Sequence, residues 1–150
     1  MSITFIRHGE KPKSGIHLNK DGYLRSKFLP TILEKIPKPD IIIAMSQHNK
    51  HTSNRPYETV KDLAEYLNLE IISDFTRYQV SKLINFIEKH PDKNILICWE
   101  HNVLSEIMYR ITNVDVKWHS YDYDSIYVWF LKDTLERSSG KFVHINQGFS

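Results

Sequence analysis

Short apolar runs alternate with stretches of helical periodicity along this chain, and the alternation restricts the fold more than any other feature. The apolar runs predict strands at residues 3–6, 41–45, 70–73, 94–99, 125–131 and 141–146, the last two separated by a loop at residues 138–140. A first helix is predicted at about residues 20–36, bent or offset by Pro30 and ended by Pro37 and Pro39. Three further helices are predicted from apolar residues at i, i+3, i+4, i+7: Val60, Leu63, Ala64 and Leu67; Val80, Leu83, Ile84 and Ile87; and Leu104, Ile107, Met108 and Ile111. The pattern predicts an α/β protein, a three-layer α/β/α sandwich with a mainly parallel sheet and an antiparallel final pair of strands.

The length and composition indicate a single domain spanning residues 1–150. A chain of 150 residues can bury about 68–70% of the surface that its unfolded form exposes. We find no internal repeat, low-complexity tract or interdomain linker in the sequence. Hydrophobic residues make up 41% and charged residues 25% of the chain, as in ordinary soluble globular proteins.

Charge and cysteine content exclude several classes of function. The formal net charge is only +2, so no global field favours nucleic acid or an anionic membrane, and we expect neither as a partner. No apolar run approaches the roughly 20 residues that span a bilayer, and the first residues lack the pattern of a signal peptide. Cys98 is the only cysteine, which excludes an internal disulfide and a thiolate zinc cluster. Together these features predict a cytoplasmic protein.

Polar residues that suit phosphate chemistry follow three of the predicted strands. Arg7 and His8 come directly after the first strand, Arg55 follows the second at a helix start, and His101 follows the fourth at another helix start. Ligands of open α/β sheets bind beyond the carboxyl ends of the strands, so these side chains should converge there. Arginine offers a planar fork that matches phosphate oxygens, and helix N-termini add backbone donors. The arrangement predicts a phosphate site that also contains a histidine nucleophile.

These segments resemble those of a known family. The sequence Arg-His-Gly-Glu at residues 7–10 resembles the RHG signature of the histidine phosphatase (phosphoglycerate mutase-like) superfamily, in its short single-domain branch. Residues 55–59, Arg-Pro-Tyr-Glu-Thr, are similar to that family's second-arginine segment. His101 occupies the place of the family's second histidine, and the match runs from about residue 3 to residue 111.

The resemblance implies a phosphoglycerate mutase-like fold and a two-step phosphoryl transfer. His8 would attack phosphorus and become a phosphohistidine, which water then hydrolyses. Arg7, Arg55 and His101 would bind the phosphoryl oxygens and neutralise charge in the transition state. No metal or other cofactor is required. The substrate would be a phosphorylated small molecule or a phosphoprotein, hydrolysed as a phosphomonoester or a phosphohistidine.

The chain departs from the family where many members carry the acid that protonates the leaving oxygen. The connection after the third strand is very short, and it leaves Asp74 at the strand end and Glu100 beside His101 as possible donors. Glu100 is slightly favoured as the catalytic acid. The third alternative is that no dedicated acid exists, as in short family members that dephosphorylate phosphohistidine.

Two other functions belong among the alternatives. A pseudophosphatase would bind a phosphorylated ligand without turnover, and the missing donor loop keeps this interpretation open. A phosphoglycerate mutase is less favoured, because the chain lacks the insertions that enclose a bisphosphate in that branch.

The remaining polar and aromatic residues receive structural interpretations. His48 and His51, with His17 as a third ligand, would suggest a metal site, but they lie in a polar loop without a carboxylate, and we expect no metal there. Glu10 and Glu58 are expected to cap helices or pair with arginines. Cys98 is expected to be buried. Core packing on the sheet is predicted for the alternating aromatic residues Tyr121, Tyr123, Tyr127 and Trp129.

Overall fold

The computed structural model describes residues 1–49, 52–131 and 140–149. In this part of the chain the strands are β1 (Ser2–Arg7), β2 (Ile41–Ala44), β3 (Ile71–Ile72), β4 (Asn94–Trp99), β5 (Ser125–Phe130) and β6 (Lys141–Asn146). The α-helices are α1 (Lys20–Phe28), α2 (Arg55–Leu67), α3 (Val80–Glu88) and α4 (His101–Thr112). The predicted loop at residues 138–140 lies outside the described residues except for Gly140.

The strands form one six-stranded sheet in the order β3-β2-β4-β1-β5-β6. β1 and β2 both pair in parallel with β4, and β3 pairs in parallel with β2. β5 is antiparallel to β1, and β6 is antiparallel to β5. The mainly parallel sheet and the antiparallel final pair are therefore confirmed. Because Arg7 lies opposite Trp99 in the register, the residues that follow β1 and β4 leave the sheet side by side.

Side chains alternate between two buried layers on either face of the sheet. On one face, Ile3 and Phe5 of β1 belong to a core that includes the apolar stripes of α3 and α4. On the other face, Ile6 of β1 and Leu96 of β4 pack with the apolar residues of α2. Two-residue alternation in a strand covered on both faces explains why both sets are apolar. The three-layer α/β/α sandwich is thus confirmed.

The predicted helix at residues 20–36 is divided into two pieces. α1 begins after Asn19, whose side chain accepts a hydrogen bond of 2.9 Å from the Gly22 amide. A 3₁₀ helix, Leu29–Glu34, follows α1 directly and has Pro30 in its first turn. Proline lacks an N–H and cannot continue the α-helical hydrogen bonding, so the change of helix type falls at this residue.

The aromatic residues before β5 do not all belong to the sheet, which corrects the prediction. β5 begins at Ser125, so Tyr121 and Tyr123 lie in the preceding loop, and Tyr121 is 77% exposed. Tyr127 and Trp129 are sheet residues, and Cys98 is buried as predicted, which raises the pKa of its thiol. Among the described residues, no helix is both long and apolar enough to cross a membrane.

Candidate active site

Arg7 ends β1 and is almost completely buried, with 1% of its surface exposed. Its Nη1 donates hydrogen bonds to the carbonyl oxygens of Ser120, at 2.6 Å, and Asp122, at 3.2 Å. The ring of Tyr123 lies against the guanidinium, with 3.8 Å between the ring centroid and Cζ. Burial lowers the pKa of Arg7, while the Tyr123 side chain acts in the opposite direction and favours the charged guanidinium. Arg7 is therefore a rigidly held cation.

His8 follows Arg7 and is 3% exposed. Its Nδ1 lies 2.7 Å from the Gly9 carbonyl oxygen, and because a carbonyl can only accept, Nδ1 carries the proton in this contact. The Nε2 lone pair of the neutral ring is therefore available for reaction. Burial is the main cause that lowers the pKa of His8 to about 3, against the effect of the Gly9 hydrogen bond. The charges of Arg7 and Arg55 lower it further.

Arg55 is the first residue of α2, and a short hydrogen-bonded chain connects it with the His8 segment. The Gly9 amide donates to Thr59 Oγ1 at 2.8 Å, and Thr59 Oγ1 donates to the Arg55 carbonyl at 2.7 Å. The Arg55 guanidinium is held by a bond of 2.8 Å from Nη1 to the Gly15 carbonyl. Burial lowers the pKa of Arg55. Thr59 therefore fixes the position of the N-terminus of α2 against the loop after β1.

His101 begins α4 just after β4, the strand that pairs with β1. Burial and then the charge of Arg7 lower its pKa, so Arg7 lies within electrostatic range of both histidines. The Nε atoms of Arg7 and Arg55 are buried donors without a hydrogen-bond partner among the described residues. Buried N–H groups are almost always paired, so two such donors beside one histidine fit an anion site. The structure thus brings together the four residues predicted to bind and transfer phosphate.

Glu100 acts as the N-cap of α4. Its Oε1 accepts from the Val103 amide at 2.6 Å and its Oε2 accepts from the Asn102 amide at 3.2 Å. Arg77 lies nearby, with 3.7 Å between its Nη1 and Glu100 Oε2. Both carboxylate oxygens are therefore engaged by backbone donors at the N-terminus of α4. This geometry favours a structural role over the role of proton donor.

Asp74 is exposed and follows β3 at the edge of the sheet. The order of the strands places β3 three positions from β1, which is about 14 Å at the usual strand spacing. The position of β3 in the sheet therefore does not bring Asp74 close to the loop that follows β1.

Glycines let the loop after β1 and helix α1 approach closely. A Cβ on Gly22 would lie 2.4 Å from the Glu10 carbonyl oxygen, and a Cβ on Gly9 would lie 3.1 Å from Gly22 Cα. Glu10 itself binds Arg25 of α1 through both carboxylate oxygens, at 2.8 and 3.0 Å. The expectation that Glu10 pairs with an arginine is met by a residue of the first helix. These contacts hold the backbone on which His8 sits.

The histidines that were considered as metal ligands have other partners or lie outside the described residues. His17 Nδ1 is 2.9 Å from Glu58 Oε2, and His48 packs edge-on against Tyr78 with 4.9 Å between the ring centroids. His51 lies outside the described residues. In residues 1–49, 52–131 and 140–149, no group of three or more His, Cys, Asp or Glu side chains is arranged to hold a metal ion.

Two residues of the site were missed by the sequence analysis. Thr59 could have been found as the last residue of the second-arginine segment, but its contact with Gly9 spans 50 residues of chain. Tyr123 was assigned to the sheet because it alternates with Tyr127, although its ring centroid lies 6.2 Å from that of His8. Alternation alone cannot show where a strand begins.

The architecture is the histidine phosphatase (phosphoglycerate mutase-like) fold. The structure of the protein histidine phosphatase SixA complexed with tungstate matches with a TM-score of 0.70 and 13% identity, over 98% of this chain and 97% of that one. The alpha-ribazole phosphatase from Shigella flexneri matches with a TM-score of 0.65 and 16% identity, over 89% and 92% of the two chains. A mycobacterial glucosyl-3-phosphoglycerate phosphatase with inorganic phosphate matches with a TM-score of 0.66 and 11% identity, over 96% and 95%.

These matches establish the fold, at identities of 11–16%. No protein-family model and no curated protein sequence matches the chain. The assignment of chemistry therefore depends on the site itself.

Proposed function

We propose that this chain is a metal-independent phosphatase that hydrolyses a phosphomonoester or a phosphohistidine through a phosphohistidine intermediate on His8. The observation that carries the proposal is the state of His8. Its Nδ1–H is bound by the Gly9 carbonyl and its pKa is lowered to about 3, so Nε2 is an unprotonated nucleophile at neutral pH. Arg7 and Arg55 flank it with buried, unpaired Nε–H donors.

In the first step, the Nε2 lone pair forms a bond to phosphorus while the bond from phosphorus to the leaving group breaks. The transferred group carries its charge on three equatorial oxygens, and Arg7, Arg55 and His101 are the groups that would bind them. In the second step, water attacks the phosphohistidine, inorganic phosphate leaves, and His8 returns to its neutral form. Neither step needs a metal ion.

The leaving group decides which substrates can react. Glu100 is occupied as a helix cap, and Asp74 is separated from His8 by the width of three strands. Without a dedicated acid, a substrate with a good leaving group is favoured, and the imidazole of a phosphohistidine can take its proton from solvent. The structural match to the protein histidine phosphatase SixA supports this choice. We therefore propose a phosphorylated protein histidine as the preferred substrate over an alkyl phosphate.

The positive charges around the site favour an anionic substrate. Lys11 lies close enough to act on the pKa values of both His8 and His101, and Arg77 acts on His101. Lys11 is exposed and Arg77 is half-buried. A phosphorylated segment on a protein surface can reach such an open rim, and so can a small phosphorylated molecule.

The experiment that tests the proposal compares wild type with His8→Gln, using p-nitrophenyl phosphate in the presence of EDTA. We expect hydrolysis by the wild type and its loss in the variant. Rapid quenching with a labelled phosphoryl donor should trap an acid-labile, base-stable adduct on wild type alone. His90→Gln is the matched control, because His90 follows α3 and precedes β4 at the opposite edge of the sheet.

The same experiment separates the enzyme from the alternative of a pseudophosphatase. Binding of phosphate without turnover or adduct in the wild type would support the pseudophosphatase. Turnover by His8→Gln at the wild-type rate would show that His8 is not the nucleophile.

A further inference from the structure

We propose that Tyr123 belongs to the phosphoryl-binding site, where its ring holds Arg7 in place and its hydroxyl donates a hydrogen bond to an equatorial phosphoryl oxygen. The inference rests on the proposed function and extends it to a residue outside the three sequence segments that resemble those of the histidine phosphatase superfamily. It is carried by the position of the Tyr123 ring against Arg7 and near His8.

The loop before β5 is built around Arg7. The carbonyl oxygens of Ser120 and Asp122 both accept from Arg7 Nη1, and Trp118 Nε1 donates to the Asp122 carbonyl at 2.9 Å. The Asp122 carboxylate accepts from the Ser125 amide and hydroxyl, at 3.0 and 2.5 Å. Although burial alone would raise the pKa of Asp122, these bonds from Ser125 lower it overall. The loop therefore has a defined shape that presents the next residue, Tyr123, to the site.

Tyr123 makes different contacts from the aromatic residues of the sheet. Tyr127 packs against Trp118, Phe142 and His144. The ring centroid of Tyr123 instead lies 3.8 Å from Arg7 Cζ and 6.2 Å from the ring centroid of His8. Tyr123 is half-buried, so one side of its ring covers the guanidinium while part of the residue faces solvent. Tyr123 therefore contacts the residues of the candidate site, whereas Tyr127 contacts the aromatic residues packed on the sheet.

The hydroxyl of Tyr123 lies within electrostatic range of both arginines. It interacts electrostatically with both Arg7 and Arg55, and its side chain also forms a hydrogen bond with Arg7. The transition state of phosphoryl transfer distributes charge over three equatorial oxygens, and both arginines serve that group in the proposed mechanism. A phenol near both arginines can give an additional O–H donor to the same oxygens. Its proximity to the arginines favours an equatorial position over contact with the leaving group, which departs opposite His8.

The ring has a second effect, which acts through Arg7. A guanidinium over an aromatic face is stabilised by the ring quadrupole. Nη1 of Arg7 is already occupied by two carbonyl oxygens, so the ring and these carbonyls together fix the plane of the guanidinium. Removing the hydroxyl and removing the ring should therefore have separable consequences.

The test uses Tyr123→Phe, which keeps the ring, and Tyr123→Leu, which removes it. Turnover is measured with p-nitrophenyl phosphate and with phosphoserine, and inhibition is measured with vanadate, a mimic of the five-coordinate transition state. Tyr121→Phe is the matched control, because Tyr121 lies in the same loop but is 77% exposed. Thermal unfolding of each variant reports on the fold independently of turnover.

We expect Tyr123→Phe to lose about 100-fold in kcat/KM on both substrates alike, which is the lower end of the range for one lost donor to a developing oxyanion. Vanadate inhibition should weaken by a similar factor, while the unfolding temperature stays near that of the control. Tyr123→Leu should lose more than Tyr123→Phe on every one of these measures.

Three results would overturn the inference. Wild-type kinetics in Tyr123→Phe with an unchanged vanadate constant would reduce the residue to packing. A loss confined to phosphoserine would make the phenol the proton donor instead of a phosphoryl ligand. A wild type that neither turns over substrate nor binds vanadate would refute the proposed function itself, and this outcome is distinct from the other two because they require an active wild type.

Discussion

Acidification provides a direct test of the buried, neutral state of His8. The folded protein lowers the pKa of this side chain from the ordinary value of 6.5 to about 3, mainly because the ring is buried. Between these two pH values the unfolded chain binds a proton at residue 8 that the folded protein does not bind. The unfolded state is therefore favoured as the pH falls through this range, and the stability associated with neutral His8 is complete only above about pH 6.5.

The size of the effect follows from the two pKa values. Each unit of difference corresponds to about 1.4 kcal/mol. At pH 5 the unfolded histidine is almost fully protonated, and the free energy of unfolding should be lower than at pH 7.5 by roughly 2 kcal/mol from this residue alone. Near pH 3 the contribution should reach roughly 4 kcal/mol.

The assay is urea unfolding of wild type and His8→Gln at pH 7.5, 6.5, 5.5 and 5.0, at constant ionic strength and without phosphate. Carboxylates and His101 titrate in both proteins, so their effects cancel when the two pH dependences are subtracted. We expect the wild type to lose roughly 2 kcal/mol more than the variant between pH 7.5 and 5. Parallel pH dependences would refute the conclusion that His8 is held neutral by its surroundings. His90→Gln is the control: its free energy of unfolding should change with pH as that of the wild type does if the effect belongs to residue 8.

Three further predictions concern the residues around the site. Arg25→Met should lower the free energy of unfolding by roughly 2–4 kcal/mol in urea titrations, because it leaves the Glu10 and Asp124 carboxylates without their buried partner. Arg25→Lys should recover only part of this loss. Gly22→Ala should destabilise the protein by roughly 1–3 kcal/mol in the same titrations, because its Cβ would lie 2.4 Å from the Glu10 carbonyl oxygen, and a neutral effect would contradict the close packing of α1 on this loop. Glu100→Gln should slow aryl and alkyl phosphate hydrolysis to the same extent and lower the free energy of unfolding by about 1 kcal/mol, because Glu100 caps α4. A loss of activity on the alkyl phosphate alone would instead identify Glu100 as the proton donor.

Local sequence patterns were sufficient to predict most of the fold. Apolar runs bounded by turn residues placed the strands within about two residues, because a strand covered on both faces must be apolar throughout. Helical stripes placed α2, α3 and α4 for the same reason, since one face of each helix is buried against the sheet. The division of the first helix at Pro30 depended on which hydrogen-bonding pattern the chain adopts around the proline. The sequence indicated only that the helix is bent or offset there.

The arrangement of the candidate site was predictable only in part. His8, Arg7, Arg55 and His101 could be grouped from the sequence because each directly follows a parallel strand or begins the next helix, and the carboxyl ends of parallel strands meet at one edge. The proton-donor question could not be answered in this way. Glu100 is adjacent to His101 in sequence, but whether its carboxylate faces the site or caps the helix depends on the backbone conformation at residue 100.

By itself, the sequence determined the elements, their order and the residue types at the strand ends, since these depend on contacts within a few residues. Tertiary structure alone decided which distant groups meet. The Gly9 amide reaches Thr59 across 50 residues, and Arg7 reaches the Ser120 carbonyl across 113 residues. Burial between the packed layers lowers the pKa of His8, and the long-range contacts of Arg7 hold the loop that carries Tyr123 against its guanidinium. Burial and long-range hydrogen bonds arise only when the layers pack, so no local pattern contains them.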